Sequence, residues 1–340
     1  MISFRNDYSE GAHPAVLQAL VDTNLENTCG YGCDAYCAQA AQRIRTRFAC
    51  PDADVHFLVG GTITNLTVIS AALRPWEAVI CAGTGHINVH ETGAVEATGH
   101  KVYSVQTPDG KLTPALIRAA FEDNCCGQDE HMVYPRMLYL SDATELGTIY
   151  TRSELAAIHA VCKELGLYLF LDGARLACAL VAEDNDLSAE DLAQLCDVFY
   201  LGGTKNGLLF GEALVIVHDA LKPCFRHAIK QRGAMLAKGR LLGVQFDALL
   251  KDELWLETAR HAVQQAQKLA GALREKGYTL YVDSPTNQIF PLVTNAQMAA
   301  LEKEFVFEVW AKPDAAHTVI RFVCSWATSD ADVQALIEAL

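Results

Sequence analysis

Two short stretches of the 340-residue chain carry side chains whose types and spacing could do chemistry. In LYLFLDGARLA, Asp172 closes a run of large apolar residues and Arg175 follows three positions later. In VFYLGGTKNGLLFGEALV, Lys205 sits among Gly202, Gly203 and Gly207, directly after another apolar run. Taken singly, an aspartate at a strand end can cap the next helix, and a loop lysine is ordinarily a solvated charge. Taken together they read differently. Both charges fall where buried strands end, and the glycines let a bulky group approach the backbone. Arg175 adds a fork of donors suited to a phosphate or a carboxylate.

A carboxylate beside a pyridine nitrogen and an amine that condenses with an aldehyde are the two groups that pyridoxal phosphate requires. A phosphate cradle is available in GGTITN, Gly60 to Asn65, between a strand and a helix: the amides of Gly61 and Thr62, the Thr62 hydroxyl and, beside the lysine, the Thr204 hydroxyl. The same residues would serve as an ordinary glycine turn with a threonine cap. The stretch lacks the lysine of a Walker motif and does not open GxGxxG, which disfavours nucleotide and nicotinamide binding.

The loop AGTGHINVHETGA offers His86, His90 and Glu91. Two histidines four apart suggest zinc, but the order is not HExxH. In a pyridoxal site His86 would stack on the ring. His90 would reach a substrate hydroxyl or be an ordinary loop histidine, and Glu91 would orient its neighbours. In TVIRFVCSW, Arg321 interrupts an apolar strand, where a charge needs a partner. Either a buried ion pair or a substrate carboxylate would supply one.

These groups need a scaffold. DVHFLVGG, AVICAG, HKVYSV, MVYPRMLYLS, LYLFLD and VFYLGG read as strands, alternating with helical segments such as TITNLTVISAAL and SELAAIHAVCKELG. That alternation predicts an α/β fold with a mostly parallel sheet, which places ligands beyond the carboxyl ends of its strands. From Val244 to about Leu273 one long helix is expected, followed by YTLYVDS, NQIFPLV, FVFEVW and TVIRFVCSW as strands of a smaller α+β domain. The expected division is an N-terminal arm over 1–25, a large domain over 26–245 and a small C-terminal domain over 246–340.

A net charge of −14 argues against nucleic-acid or anionic-membrane partners. The start shows no signal-peptide pattern and no apolar run approaches the roughly eighteen residues of a membrane span, so a cytoplasmic protein is expected. The twelve cysteines, among them the vicinal Cys125 and Cys126, then read as reduced small hydrophobes. Cys29, Cys33 and Cys37 could present one helix face of thiols to a metal, but no second cluster completes a ligand set, and no metal is expected. The basic stretch FRHAIKQRGAMLAKGR reads by default as a solvated helix face.

FRNDYSEGAHP, YGCD at 31–34, GTITN at 61–65, GHINVHETGA from Gly85, LDGARL from Leu171, GGTKNG from Gly202 and VIRF at 319–322 together carry a resemblance over nearly the whole chain. It resembles the low-specificity L-threonine aldolases, of the aromatic amino acid β-eliminating lyase/threonine aldolase family of fold type I pyridoxal-phosphate enzymes, whose large domain is aspartate aminotransferase-like. The resemblance implies retro-aldol cleavage of L-threonine or L-allo-threonine, and of phenylserine-type substrates, to glycine and an aldehyde; a related β-eliminating lyase is the alternative. It implies Lys205 as the Schiff-base lysine, Asp172 at the pyridine nitrogen and His86 on the ring. Gly61, Thr62 and Thr204 become phosphate contacts, and Arg321, Ser9 and Arg175 substrate-carboxylate contacts, Arg175 being shared with the cofactor. Tyr31 and Asp34 help to shape the site, and Lys238 approaches the cofactor phosphate of a neighbouring subunit in a dimer or tetramer with sites at the interface. One departure stands out: in SDATELGTIYT, Glu145 falls at about the place of a family histidine. The base for the β-hydroxyl would then be Glu145, His90 or a bound water.

Overall fold

The structure is a computed structural model that describes residues 1–125 and 130–340. Its elements are β1 (Ile2–Ser3), α1 (Pro14–Asp22), α2 (Ala35–Arg47), β2 (Asp54–Leu58), α3 (Gly61–Ala72), β3 (Glu77–Ala82), α4 (His86–Val89), β4 (Lys101–Val105), α5 (Pro114–Cys125), β5 (Tyr134–Ser141), α6 (Arg152–Leu165), β6 (Tyr168–Asp172), α7 (Leu176–Leu180), α8 (Ala189–Leu195), β7 (Val198–Gly202) and β8 (Glu212–Ile216). They continue with α9 (Phe225–Gln231), α10 (Arg240–Leu250), α11 (Leu254–Glu275), β9 (Gln288–Ile289), β10 (Leu292–Thr294), α12 (Asn295–Leu301), β11 (Phe305–Val306), β12 (Glu308–Ala311), β13 (His317–Val323) and α13 (Asp330–Ala339).

The expected sheet is present, seven-stranded, in the order β2-β8-β7-β6-β5-β3-β4. β7 and β8 are buried at every position, as strands covered on both faces must be. Only β8 runs antiparallel to its neighbours β2 and β7. That reversal matters for the site. It brings the first residue of β8, Glu212, level with the last residues of β2 and β7, in the register Leu58–Glu212–Gly202. On the next pair, Ser141 of β5 lies level with Asp172 of β6. Five strand ends therefore share one rim.

The helices between the strands carry their own start and stop signals. α6 opens with a capping box between Thr151 and Glu154 and closes on Gly166 at φ 68°, a left-handed position where a Cβ would be strained.

Beyond β8 the structure departs from the sequence reading. The single long helix is two, α10 and α11, separated by Asp252 and Glu253 at φ 54° and 63°. Asp252 is of a type that visits the left-handed region occasionally and Glu253 of one that rarely does, so the sequence marks the break only weakly. The boundary expected at 245/246 falls inside α10, whose Phe246 and Leu249 pack in the core under the large sheet. α11 serves two cores with one stripe at helical spacing: Trp255, Ala259 and Val263 join that core, while Ala266, Leu269, Ala270 and Leu273 join the core of the C-terminal region.

YTLYVDS, expected as a strand, makes only an isolated bridge from Leu280 to Pro291. The first residues are not a free arm. β1 pairs in parallel with β11, Ile2 opposite Phe305, and Phe4 is fully buried between the rings of Phe305 and Phe322. The basic stretch from Phe225 is helical only through Gln231 before α10 begins. Of the three spaced cysteines only Cys37 lies on α2, so they do not form one helix face. Cys126 lies outside the described residues. Among the described residues no helix is long and apolar enough to cross a membrane.

Candidate active site

The shared rim encloses a cavity of about 250 Å³ whose wall includes Gly60, Gly61, Thr62, His86, Glu145, Asp172, Arg175, Thr204 and Lys205. Sequence-predicted residues from the ends of five separate strands thus meet in one space. Each is placed by a strand end: Thr62 after β2, His86 after β3, Glu145 after β5, Asp172 and Arg175 at β6, Lys205 after β7.

Asp172 is buried, and three donors converge on its carboxylate: the Tyr139 hydroxyl and Asn65 Nδ2 (3.2 Å) on Oδ2, and the Ala174 amide (2.9 Å) on Oδ1. Burial and the neighbouring Asp172 push the Tyr139 phenol well above its usual range, so it stays a donor. The glycines here are close approaches. A Cβ on Gly202 would lie 2.2 Å from the Ala174 carbonyl oxygen, and one on Gly61 would lie 3.1 Å from the Tyr200 hydroxyl. Gly60, the cap of α3, has no side chain to occupy the first amides of the helix, and Gly60, Gly61 and Thr62 line the cavity.

His86 is fixed at both ends. Its amide donates to Glu145 Oε1 (2.9 Å), and its Nδ1 bonds Glu91 Oε1 (2.7 Å), which also accepts from Asn65 Nδ2 (2.7 Å). With Glu91 as acceptor, Nδ1 carries the proton. Glu145 also accepts from Ser141 Oγ (2.7 Å), and burial raises the pKa of its carboxyl group. Burial, and then Arg175, lower that of the Lys205 ammonium, with Asp7, Asp172 and Glu212 opposing. A buried amine with a lowered pKa is a better nucleophile at neutral pH than a surface lysine.

Matched against known proteins, residues 4–320 fit the family described as beta-eliminating lyase. The chain belongs to that family. It is 35% identical over 337 residues to a low specificity L-threonine aldolase of Pseudomonas aeruginosa, covering 96% of this chain and 93% of that one. A solved threonine aldolase of Leishmania major is 49% identical, with a TM-score of 0.97 over 99% of this chain and 98% of that one. An aspartate aminotransferase of Thermus thermophilus, 16% identical with a TM-score of 0.75 over 100% of this chain and 90% of that one, shares the fold. The large domain is therefore of the fold type I, aspartate aminotransferase-like class.

Several expected members of this lyase's site stand elsewhere or are already engaged. Thr204 lines the cavity, but its amide donates to Gly211 O (3.1 Å) and its hydroxyl to Glu212 Oε1 (2.8 Å) while accepting from the Gly211 amide (3.0 Å). With both donors taken, it has none for a phosphate. Arg175 clamps Asp7 through Nε (2.7 Å) and Nη2 (3.0 Å), and Asn287 Nδ2 binds the same carboxylate (2.9 Å). Ser9 is exposed and donates to Asn6 Oδ1 (2.8 Å). The His90 ring lies 5.5 Å from that of His86 and 6.3 Å from that of Trp310, outside the cavity wall. Asp34 caps α2 by accepting the Cys37 amide (2.9 Å). Together with Tyr31, Asp34 lines a different cavity of about 320 Å³. Lys238 is exposed and lines another of about 450 Å³.

Arg321 is buried on β13. Its Nη1 donates to Gln288 Oε1 (3.0 Å), its Nη2 meets Glu308, and its guanidinium lies 5.2 Å from the Trp310 ring centre. Its Nε is buried without a partner.

Sequence reasoning missed Tyr139, Tyr200, Asp7 and Glu212. Asp7 and Asn65 lie inside the quoted FRNDYSEG and GTITN stretches, which was their only signal. Tyr139, Tyr200 and Glu212 read as ordinary strand residues.

Proposed function

We propose that this lyase is a pyridoxal-phosphate-dependent threonine aldolase, an aldehyde-lyase that cleaves L-threonine and L-allo-threonine to glycine and acetaldehyde and also accepts phenylserine-type substrates. The observation that carries the reading is that Lys205 and Asp172 face one buried cavity from the ends of adjacent strands. The donor set fits the cofactor: bare helix amides for a phosphate, a triply bonded carboxylate for a ring nitrogen, and a buried lysine. When bound, pyridoxal phosphate supplies an electron-poor ring that takes up the electron pair of a bond broken at Cα.

The chain's residues divide the remaining work. Gly61 and Thr62 hold the phosphate at the start of α3. Asp172, positioned by Tyr139 and Asn65, holds a proton on the ring nitrogen. His86, locked by Glu91, would stack on the ring. Lys205 tethers the cofactor. Arg321, though not part of the cavity wall, keeps an unpaired Nε and takes the substrate carboxylate, and this grip selects which Cα bond is aligned for breaking. Glu145 suits the removal of the β-hydroxyl proton better than His90, because it lies on the cavity wall and burial makes its carboxylate more basic.

The working form is a homo-oligomer, dimer or tetramer, in which the partner subunit's Tyr31 and the partner subunit's Lys238 complete the cavity. In support, both residues lie away from their own chain's cavity, and Leu17, Val21 and Leu25 are exposed at 43%, 68% and 96%. The free thiols of the described cysteines suit the reducing cytoplasm. The net charge of −14 weighs against nucleic acid and anionic membranes as partners.

The test presents L-threonine, L-allo-threonine, L-phenylserine and L-serine side by side and measures every carbonyl product. Acetaldehyde and glycine from the threonines are expected. Pyruvate and ammonia from L-serine, with no aldehyde from L-threonine, would replace this reading with a β-eliminating one.

A further inference from the structure

Glu212 is the one cavity-lining carboxylate with no role so far. It reaches the rim because β8 runs backwards, and it is 4% exposed. Its Oε1 accepts the Thr204 hydroxyl (2.8 Å) and its Oε2 the Gly203 amide (3.1 Å). Both bonds fall on the residues immediately before Lys205, so the carboxyl group braces the turn that presents the lysine. The ionisable and charged groups facing it are Lys205 from that turn, Asp172 from β6, Tyr200 from β7 and Arg175 across the cavity. From β2 its neighbour is the apolar Leu58, and α10 covers the turn with Leu242 and Phe246.

We propose that Glu212 is the positioning residue of Lys205: it holds the Gly203–Thr204 turn and, by its charge, sets the pH at which the lysine amine is free to take up the cofactor. The proposal rests on the pyridoxal-phosphate reading above. The hydrogen bonds are compatible with two charge states. As a carboxylate, Glu212 accepts from both donors. As a neutral acid, it keeps the Gly203 amide on Oε2 and donates from Oε1 to Thr204, whose hydroxyl hydrogen turns to the Gly211 carbonyl at 3.4 Å. The turn keeps its shape in both states and only the charge beside Lys205 changes. Burial raises the acid's pKa to about 8, within the range where such a change is reached. Glu212→Gln mimics the neutral state atom for atom.

Attachment forms a bond from the Lys205 nitrogen to the cofactor's aldehyde carbon with loss of water, and it requires the unprotonated amine. The cofactor-free protein is mixed with pyridoxal phosphate across a pH series, trapped with borohydride and mapped by peptide mass. Removing the opposite charge should move the midpoint of Lys205 labelling in E212Q down by about one pH unit. Thr204→Ala, which removes a bond favouring the ionised acid, should move it the same way by less. Glu212→Asp keeps the charge and should keep the wild-type midpoint. An E212Q midpoint equal to that of the wild type, whatever the loss of thermal stability, overturns the proposal. If E212Q does not fold, an unmoved midpoint in T204A overturns it. No labelling of wild-type Lys205 at any pH would overturn the pyridoxal-phosphate reading itself.

Discussion

The two arginines nearest the site are held in opposite ways, one at the rim of the large sheet and one on strand β13. Arg175 gives two nitrogens to the buried Asp7, and that carboxylate, outweighing burial, keeps the guanidinium more firmly protonated than usual. Arg321 gives one nitrogen to a neutral amide and one to a partly exposed glutamate, and keeps its Nε buried and unpaired. Burial, and then Arg175, lower its pKa. A charge satisfied from within belongs to the framework, whereas a buried donor left over carries a cost that a ligand would offset. The contrast supports the proposal that Arg175 is a brace and Arg321 the carboxylate receptor, although the sequence offered both for the second role.

Arg175→Ala tests the contrast most severely. It strands Asp7 without its counter-charge and should cost about 3–5 kcal/mol in urea unfolding. Arg321→Lys should leave the unfolding midpoint within a few degrees but raise KM for L-threonine by roughly 30-fold, about 2 kcal/mol, because a lysine cannot reproduce the planar fork. Loss of stability with KM unchanged would reverse the two assignments.

Asp7→Asn should cost about 1–3 kcal/mol at neutral pH, with a definite acid dependence. Burial would raise the Asp7 pKa, but Arg175, Lys205 and Asn287 together hold it below 3.8. Its contribution is therefore complete above that value and is lost as pH falls through the lower, folded-state pKa. The stability gap between wild type and D7N should narrow on acidification; a gap independent of pH would remove the ion pair from the account. Ser9→Ala should change kcat/KM less than about twofold and stability by less than about 0.5 kcal/mol, since its exposed hydroxyl donates to Asn6 alone.

Much of this is legible in the sequence alone, for local reasons. Asp172 and Lys205 stood out because apolar runs ended beside them in glycine-rich turns, which a sequence displays directly. Glu212 did not. It opens EALVI like any strand residue, and only the antiparallel register beside Gly202 brings it to the rim. Asp7 and Arg175 meet across 168 positions, a separation that no spacing rule covers. The Asp252–Glu253 break was hidden because two acidic residues continue a helical pattern as readily as they interrupt it. Thr204 was misjudged for a related reason: its hydroxyl was counted as free when the strand opposite had already claimed it.

The pairing of β1 with β11 also sets the order in which the protein can be completed. Ile2 finds Phe305, and the Phe4 carbonyl receives the Val323 amide. A ribosome delivers those partners only after about three hundred further residues, so this strand must wait through that stretch of synthesis before it can dock. Until then Phe4 has no pocket, and the Asp7 carboxylate lacks its bond from Asn287.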